Sequence, residues 1–171
     1  MLKIAYHVNN LSDARYFSAW GFDWIIFDLD GDLESKISKV KEMAGWVEGV
    51  KIGLYIGVAN NIDWNMCNES LDGIMLSEIQ VDIPEELSIF YLNNTETWLG
   101  QISQNNIYIG PKSNFDVSLD FFRDLSSLDP KVDLFNVNEW KGIALKGGDE
   151  ERIGVKDFDF FDEWLDKLIN V

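Results

Sequence analysis

The 171-residue chain has one cysteine, one histidine and no long apolar run, and each scarcity excludes something. With Cys67 alone there is no intramolecular disulfide and no Cys-x-x-Cys metal pair, which suits a reducing compartment. No segment approaches the ~20 apolar residues of a membrane span. Met1–Asn10 has no apolar stretch of signal-peptide type, so the cytoplasm is the expected location and no membrane partner is expected. Positive charge is scarce too: 14 basic side chains stand against 30 acidic ones, a net charge of -16. A polyanion would meet a repelling field, which argues against nucleic acid as a partner. No Pro/Gly/Ser-rich linker divides residues 1–171, which are expected to form one domain.

What is present is a packed globular composition, 46% hydrophobic, so the acidity reads as a solvated surface and not as disorder. Short apolar runs at Leu2–Val8, Trp24–Leu29, Lys51–Gly57, Gly73–Leu76, Ile89–Leu92, Ile107–Gly110 and Gly142–Leu145 predict strands. Several are apolar throughout, as buried parallel strands are. Helical periods lie between them at Leu11–Trp20, Leu33–Val47, Ile62–Ser70, Thr95–Ser103 and Val117–Leu125, and Phe158–Ile169 closes the chain. Asn10 or Ser12, Asp32, Asn61 and Asp116 are the expected caps. Around Ile83–Leu87 the crossover is short for a helix, and Val132–Val137 is either a short strand or irregular.

An alternating β-α order argues for an α/β fold with a parallel sheet or a closed barrel. A TIM-type barrel has about eight strands and rarely fewer than roughly 200 residues, so the expectation is a (β/α) barrel that is trimmed or incomplete, with seven to eight strands. An open doubly wound sheet satisfies the same periodicity.

The stretch Gly142-Ile-Ala-Leu-Lys146-Gly147-Gly148, continuing to Gly154-Val-Lys-Asp157 before a final helix, resembles the last β/α unit of phosphoribosylanthranilate isomerase, an enzyme of tryptophan biosynthesis. Asn10-Leu-Ser-Asp-Ala14 is similar to that family's opening of the first helix, and Lys51–Gly57 to its third strand. From about Glu78 to Trp140 only the order of elements agrees. The resemblance implies a phosphate held by backbone N–H groups at Gly147 and Gly148, with Lys146 adding charge, and hence a phosphorylated small molecule as ligand. A tight turn explains the same glycines.

The residues that the resemblance makes catalytic are missing. The family's base is a cysteine on the first strand, where this chain has Ala5, with an apparent one-residue insertion before Asn10. Its acid ends the sixth strand, where Ile107–Pro111 offers no carboxylate. The arginine after its second strand is replaced by the acidic run Asp28, Asp30, Asp32. Loss of both proton-transfer groups predicts loss of the isomerase reaction.

Replacement chemistry has candidates, because His7, Asp28, Asp30, Glu78 and Lys112 lie near predicted C-terminal strand ends, where barrel sites form. His7 is suited to act as a base, and a packed histidine is the plain alternative. Glu78 and Lys112 read equally as solvated loop charges. The run Ile25–Asp32 also resembles the first motif of haloacid-dehalogenase-like phosphatases, in which two aspartates work with Mg²⁺, yet the motif's threonine is Asp32 here and the run sits on the second strand. As a calcium loop it fails, with its glycine too early and Lys39 at the position of the closing glutamate. No cofactor and no metal site is expected.

The seven tryptophans are scattered among the predicted elements and read mostly as packing residues. A trimmed barrel would expose strand edges, from which a homodimer is the expectation. The leading functional expectation is an isomerase-like barrel that binds without catalysing. The alternatives are an enzyme, a sugar-phosphate isomerase or Mg²⁺-dependent phosphatase, built on His7, Asp28 and Asp30, and a protein-interaction domain.

Overall fold

A computed structural model describes residues 1–58, 62–77, 86–92, 107–110, 120–126, 141–148 and 158–169. Eight parallel strands, β1 Leu2–Val8, β2 Trp24–Phe27, β3 Lys51–Gly57, β4 Gly73–Leu76, β5 Ser88–Leu92, β6 Ile107–Gly110, β7 Asp120–Asp124 and β8 Gly142–Lys146, pair in chain order. The ring closes where Leu2 to Tyr6 run beside Gly142 to Lys146. The barrel is therefore closed and complete in strands. No strand edge is left open, which removes the exposed edge that motivated a homodimer.

The described helices are α1 Leu11–Ala19, α2 Leu33–Ala44, α3 Trp64–Asn68 and α4 Asp159–Ile169. Side chains of Asn10 and Asp32 accept N–H bonds from the first turns of α1 and α2, as their sequence positions predict. At α3 the cap is Asp63, whose carboxylate takes the N–H groups of Asn65 and Met66. Among the described residues no helix is long and apolar enough to cross a membrane.

One expected helix is corrected. Within Val117–Leu125 the residues Asp120–Asp124 form β7, paired to β6 through Ile107 to Gly110 and to β8 through Gly142 to Ala144. The charged ends of Asp-Phe-Phe-Arg-Asp imitate a helical period, but the gap between β6 and β8 can be closed only by an extended chain. The expected helix Thr95–Ser103, the cap positions Asn61 and Asp116, and Val132–Val137 lie outside the described residues.

Alternation along the strands sorts the core into two layers. Ile4, Tyr6, Trp24, Ile26, Met75, Phe90, Ile109, Phe122 and Ala144 fill the barrel interior. Ala5, Val8, Ile25, Phe27, Leu54, Ile74, Ile143 and Leu145 face outward with Phe17, Ile37, Val40, Phe161 and Trp164. Glycine makes room for the aromatic side chains inside. A Cβ on Gly73 would lie 3.0 Å from the Phe90 ring and 3.1 Å from that of Trp24, and one on Gly142 would lie 2.7 Å from Phe122 Cδ1 and collide with the Leu2 carbonyl. Of the tryptophans, Trp24 and Trp164 are buried and Trp46 is 61% exposed, stacked beneath the Arg15 guanidinium.

The first and last helices meet in an aromatic seam. Tyr16 stacks on Phe158 at 4.2 Å between ring centroids, Phe17 meets Phe161 at 5.2 Å, and the Tyr16 hydroxyl donates to Asp162. Each such ring pair adds about 0.5–1.5 kcal/mol beyond area burial. Gly142→Ala is expected to destabilise the fold by about 1–3 kcal/mol through overpacking, read as a lower urea midpoint. An unchanged midpoint would refute the glycine-for-aromatic packing.

Candidate active site

At the C-terminal end of β1 the ladder slips. Ala5 pairs with Ile25 and Val8 with Phe27, so β1 spends one more residue than β2 over that interval. Strict alternation after Ile4 and Tyr6 would turn Val8 inward, whereas Val8 packs in the outer layer. The surplus residue takes up the difference. His7 has φ +52°, a left-handed conformation that costs a non-glycine residue about 1–2 kcal/mol. This β-bulge is the structural form of the one-residue insertion legible before Asn10, and bulges of this kind re-aim a side chain.

His7 is aimed at Asp28, just past the end of β2. Its Nδ1 lies 2.5 Å from Asp28 Oδ2, and both side chains are only part-buried, at 17% and 36% exposure. An ionised carboxylate only accepts, so Nδ1 carries the proton and Nε2 keeps its lone pair when the ring is neutral. The Asp28 N–H is held by the Val8 carbonyl, and the Tyr55 ring from β3 stands edge-on to the imidazole at 4.5 Å. The histidine is thus fixed by a carboxylate on one side and a ring on another.

A second pair lies on the other flank of β1. The Tyr6 hydroxyl donates to Asp124 Oδ2 at 2.9 Å, reaching from β1 to the end of β7. Asp124 Oδ1 accepts from the Ser126 N–H, and Ser126 Oγ accepts from the Lys146 N–H at 2.6 Å. Burial first, then the Asp124 charge, raises the Tyr6 phenol far above its ordinary range. Tyr6 is 3% and Asp124 8% exposed, so this pair braces the wall beneath the mouth.

The other expected site residues are placed as follows. Asp30 is exposed, and its carbonyl, not its carboxylate, is bound, by Lys39 Nζ at 3.1 Å. The structure therefore joins His7 to Asp28 and not to Asp30. Lys146 is exposed at the end of β8. Gly147 is buried, and its N–H donates to the Tyr6 carbonyl at 2.6 Å, so that amide extends the β8–β1 ladder. A Cβ there would lie 2.9 Å from the His7 carbonyl and 3.2 Å from Asp13 Oδ2, which gives the glycine a packing reason. Gly148 follows it at half exposure. Glu78 and Lys112 lie outside the described residues. Among the described residues no three of His, Cys, Asp and Glu converge as metal ligands.

No known sequence family and no curated protein matches this chain. Solved structures do. Phosphoribosyl anthranilate isomerase from Thermus thermophilus superimposes with a TM-score of 0.67 at 12% identity over 99% of both chains. A truncated 3-deoxy-D-arabino-heptulosonate 7-phosphate synthase from Thermotoga maritima gives 0.63 at 13% identity, over 99% of this chain and 86% of that one. Monomers derived from the dimeric phosphoribosylanthranilate isomerase of Thermotoga maritima give 0.58 at 15% identity over the whole of both. The likeness is one of fold.

Sequence reasoning missed Tyr6, Tyr55, Asp124 and Ser126. Asp124 was hidden because its strand reads as a helix, and a tyrosine inside an apolar strand gives no sign of what its hydroxyl reaches. Cys67 is buried, and desolvation followed by the Asp63 charge pushes its thiol up to about 11, so it stays protonated at neutral pH. The Tyr6 shift gives stability a sign with pH. A phenol raised above its unfolded value of about 10 contributes fully below that pH and progressively less above it. Tyr16, raised by burial and then by its bond to Asp162, acts in the same direction. Melting temperature is expected to fall steeply above about pH 10, and less steeply in Tyr6→Phe. At pH 7 that variant should lose about 1–3 kcal/mol, because Asp124 keeps its burial and loses a donor.

Proposed function

We propose that the mouth of this barrel is a proton-transfer site, with His7 as the base and Asp28 orienting it, acting on a carbon next to the carbonyl of a phosphorylated sugar derivative. The observation that carries the reading is the 2.5 Å His7–Asp28 pair held in a strained bulge at the C-terminal face. Strain at a non-glycine residue persists only where the surroundings enforce it, and such positions cluster at functional sites. Barrel enzymes work at this face. With Nδ1 engaged, Nε2 is left as the basic atom of the neutral ring, the arrangement by which a carboxylate holds a catalytic imidazole in the useful tautomer.

The substrate class rests on the neighbours, whose names specify a phosphoribosyl compound in one case and a heptulosonate phosphate in the other. On this reading phosphate recognition falls to the exposed Lys146 side chain at the end of β8, since the Gly147 amide is committed to the Tyr6 carbonyl. The anthranilate isomerase reaction itself is not retained on this reading. Ala5 stands where the resemblance puts the base, and Asp28 and Asp30 would repel an anthranilate carboxylate.

A second reading is binding without turnover: Ala5, in sequence register with the isomerase family's base, carries no proton-transfer group and faces the outer layer. Deuterium exchange separates the two. Incubated in D₂O with a panel of aldose and ketose phosphates, the protein is expected to exchange the hydrogen next to the carbonyl, seen by proton NMR. His7→Gln and Asp28→Asn should each slow exchange by about 10²–10⁴-fold. Calorimetric binding with no exchange would establish the second reading.

Stability provides an independent check on His7. Relief of left-handed strain of about 1–2 kcal/mol in His7→Gly opposes the lost Asp28 bond and the added chain entropy of glycine. The net change in urea unfolding should stay within about 1 kcal/mol. A loss of several kcal/mol would make His7 a structural residue.

A further inference from the structure

Beside the mouth lies a cleft of about 450 Å³ that shares only Asp28 with the proton-transfer reading. Asn9 and Leu11 form one wall at the start of α1, Asp28 to Asp30 follow β2, and Lys39, Glu42 and Met43 come from α2. Three of these side chains, Leu11, Leu29 and Met43, are apolar and only part-buried. An acidic surface alone would be an ordinary solvated face. Here the carboxylates rim a concavity with an apolar lining, and one of them also belongs to the His7 pair.

The charges inside are unbalanced. Lys39, the only cation of the lining, turns its Nζ onto the Asp30 carbonyl, and no ion pair joins it to Asp30 or Glu42 among the described residues. Asp28 gives Oδ2 to His7 while lining the cleft. An anion would face three carboxylates against one ammonium. A wholly apolar ligand would strip water from those carboxylates without replacing it. An organic cation on a short apolar stem answers both requirements.

We infer that this cleft binds a small ammonium or guanidinium compound carrying a short apolar chain, and that its occupancy is felt at His7 through their shared neighbour Asp28. The site needs only the His7–Asp28 hydrogen bond, not catalysis, so it stands or falls separately from turnover. A ligand cation drawing on Asp28 competes with the imidazole for the same carboxylate, and coupling of this kind is reciprocal between the two sites.

The lone histidine makes the test direct, because its ring C–H resonances need no assignment among others. The full chain is titrated at constant ionic strength with n-butylguanidinium chloride, and with sodium butyrate as the charge-reversed control. A saturable movement of the His7 resonances with the cation and none with butyrate is expected. In the double variant Asp30→Asn, Glu42→Gln, whose positions are both exposed and so leave the core untouched, the apparent affinity should fall about ten-fold, the loss of one charge-assisted hydrogen bond. The inference is overturned by an unsaturable or absent response, by an equal response to butyrate, or by unchanged affinity in the double variant.

Discussion

The pairing of the first strand with the last is the constraint on which the rest depends. Leu2 to Tyr6 can lie against Gly142 to Lys146 only because Gly142 has no side chain to strike the Leu2 carbonyl and the Phe122 ring. Closure in turn brings the ends of β7, β8 and β1 together, and there the Tyr6–Asp124–Ser126 bonds and the Gly147 amide fasten the wall. Once the ring is shut, every strand has a neighbour on both sides and the C-terminal ends converge on one mouth.

On that frame the bulge in β1 is a local departure with a global cause. The inner residues Ile4 and Tyr6 and the outer residues Ala5 and Val8 are each held by their own core layer, so an extra residue cannot be absorbed by sliding the strand. It is expelled near the C-terminal end of the strand, between the Ala5–Ile25 and Val8–Phe27 pairs. His7 consequently stands outside both layers, where Asp28 and Tyr55 receive it. The same closed ring explains why the aromatic seam of α1 and α4 matters: it lays the last described helix over the first, across the closing pair of strands.

How much of this was legible in the sequence depends on whether an element carries its own signal. Seven strands were visible because each is an apolar run bounded by polar residues, and the caps Asn10 and Asp32 because capping is local chemistry. β7 was not, since three of its five residues are charged and only its neighbours make it a strand. His7 and Asp28 could be placed near strand ends, but their contact could not, because it follows from a register slip that only paired strands possess. Asp30 was read with Asp28 because both stand near a predicted strand end in one Asp-x-Asp run, yet β2 ends at Phe27 and leaves Asp30 exposed beyond it. Gly147 looked like an anion cradle because a bare glycine gives no hint of the carbonyl its N–H already serves.

The surplus position of His7 also bears on how such a protein changes over generations. The histidine occupies a place added to the strand, not one of the places that hold the barrel together. Deleting a single codon there would restore a regular strand with Tyr6 still inward and Val8 still outward, and inserting one would recreate the bulge. The bulge and the two core layers are therefore separable in one genetic step, and the residue that carries the His7–Asp28 contact can be gained or lost without moving a core side chain to the wrong face.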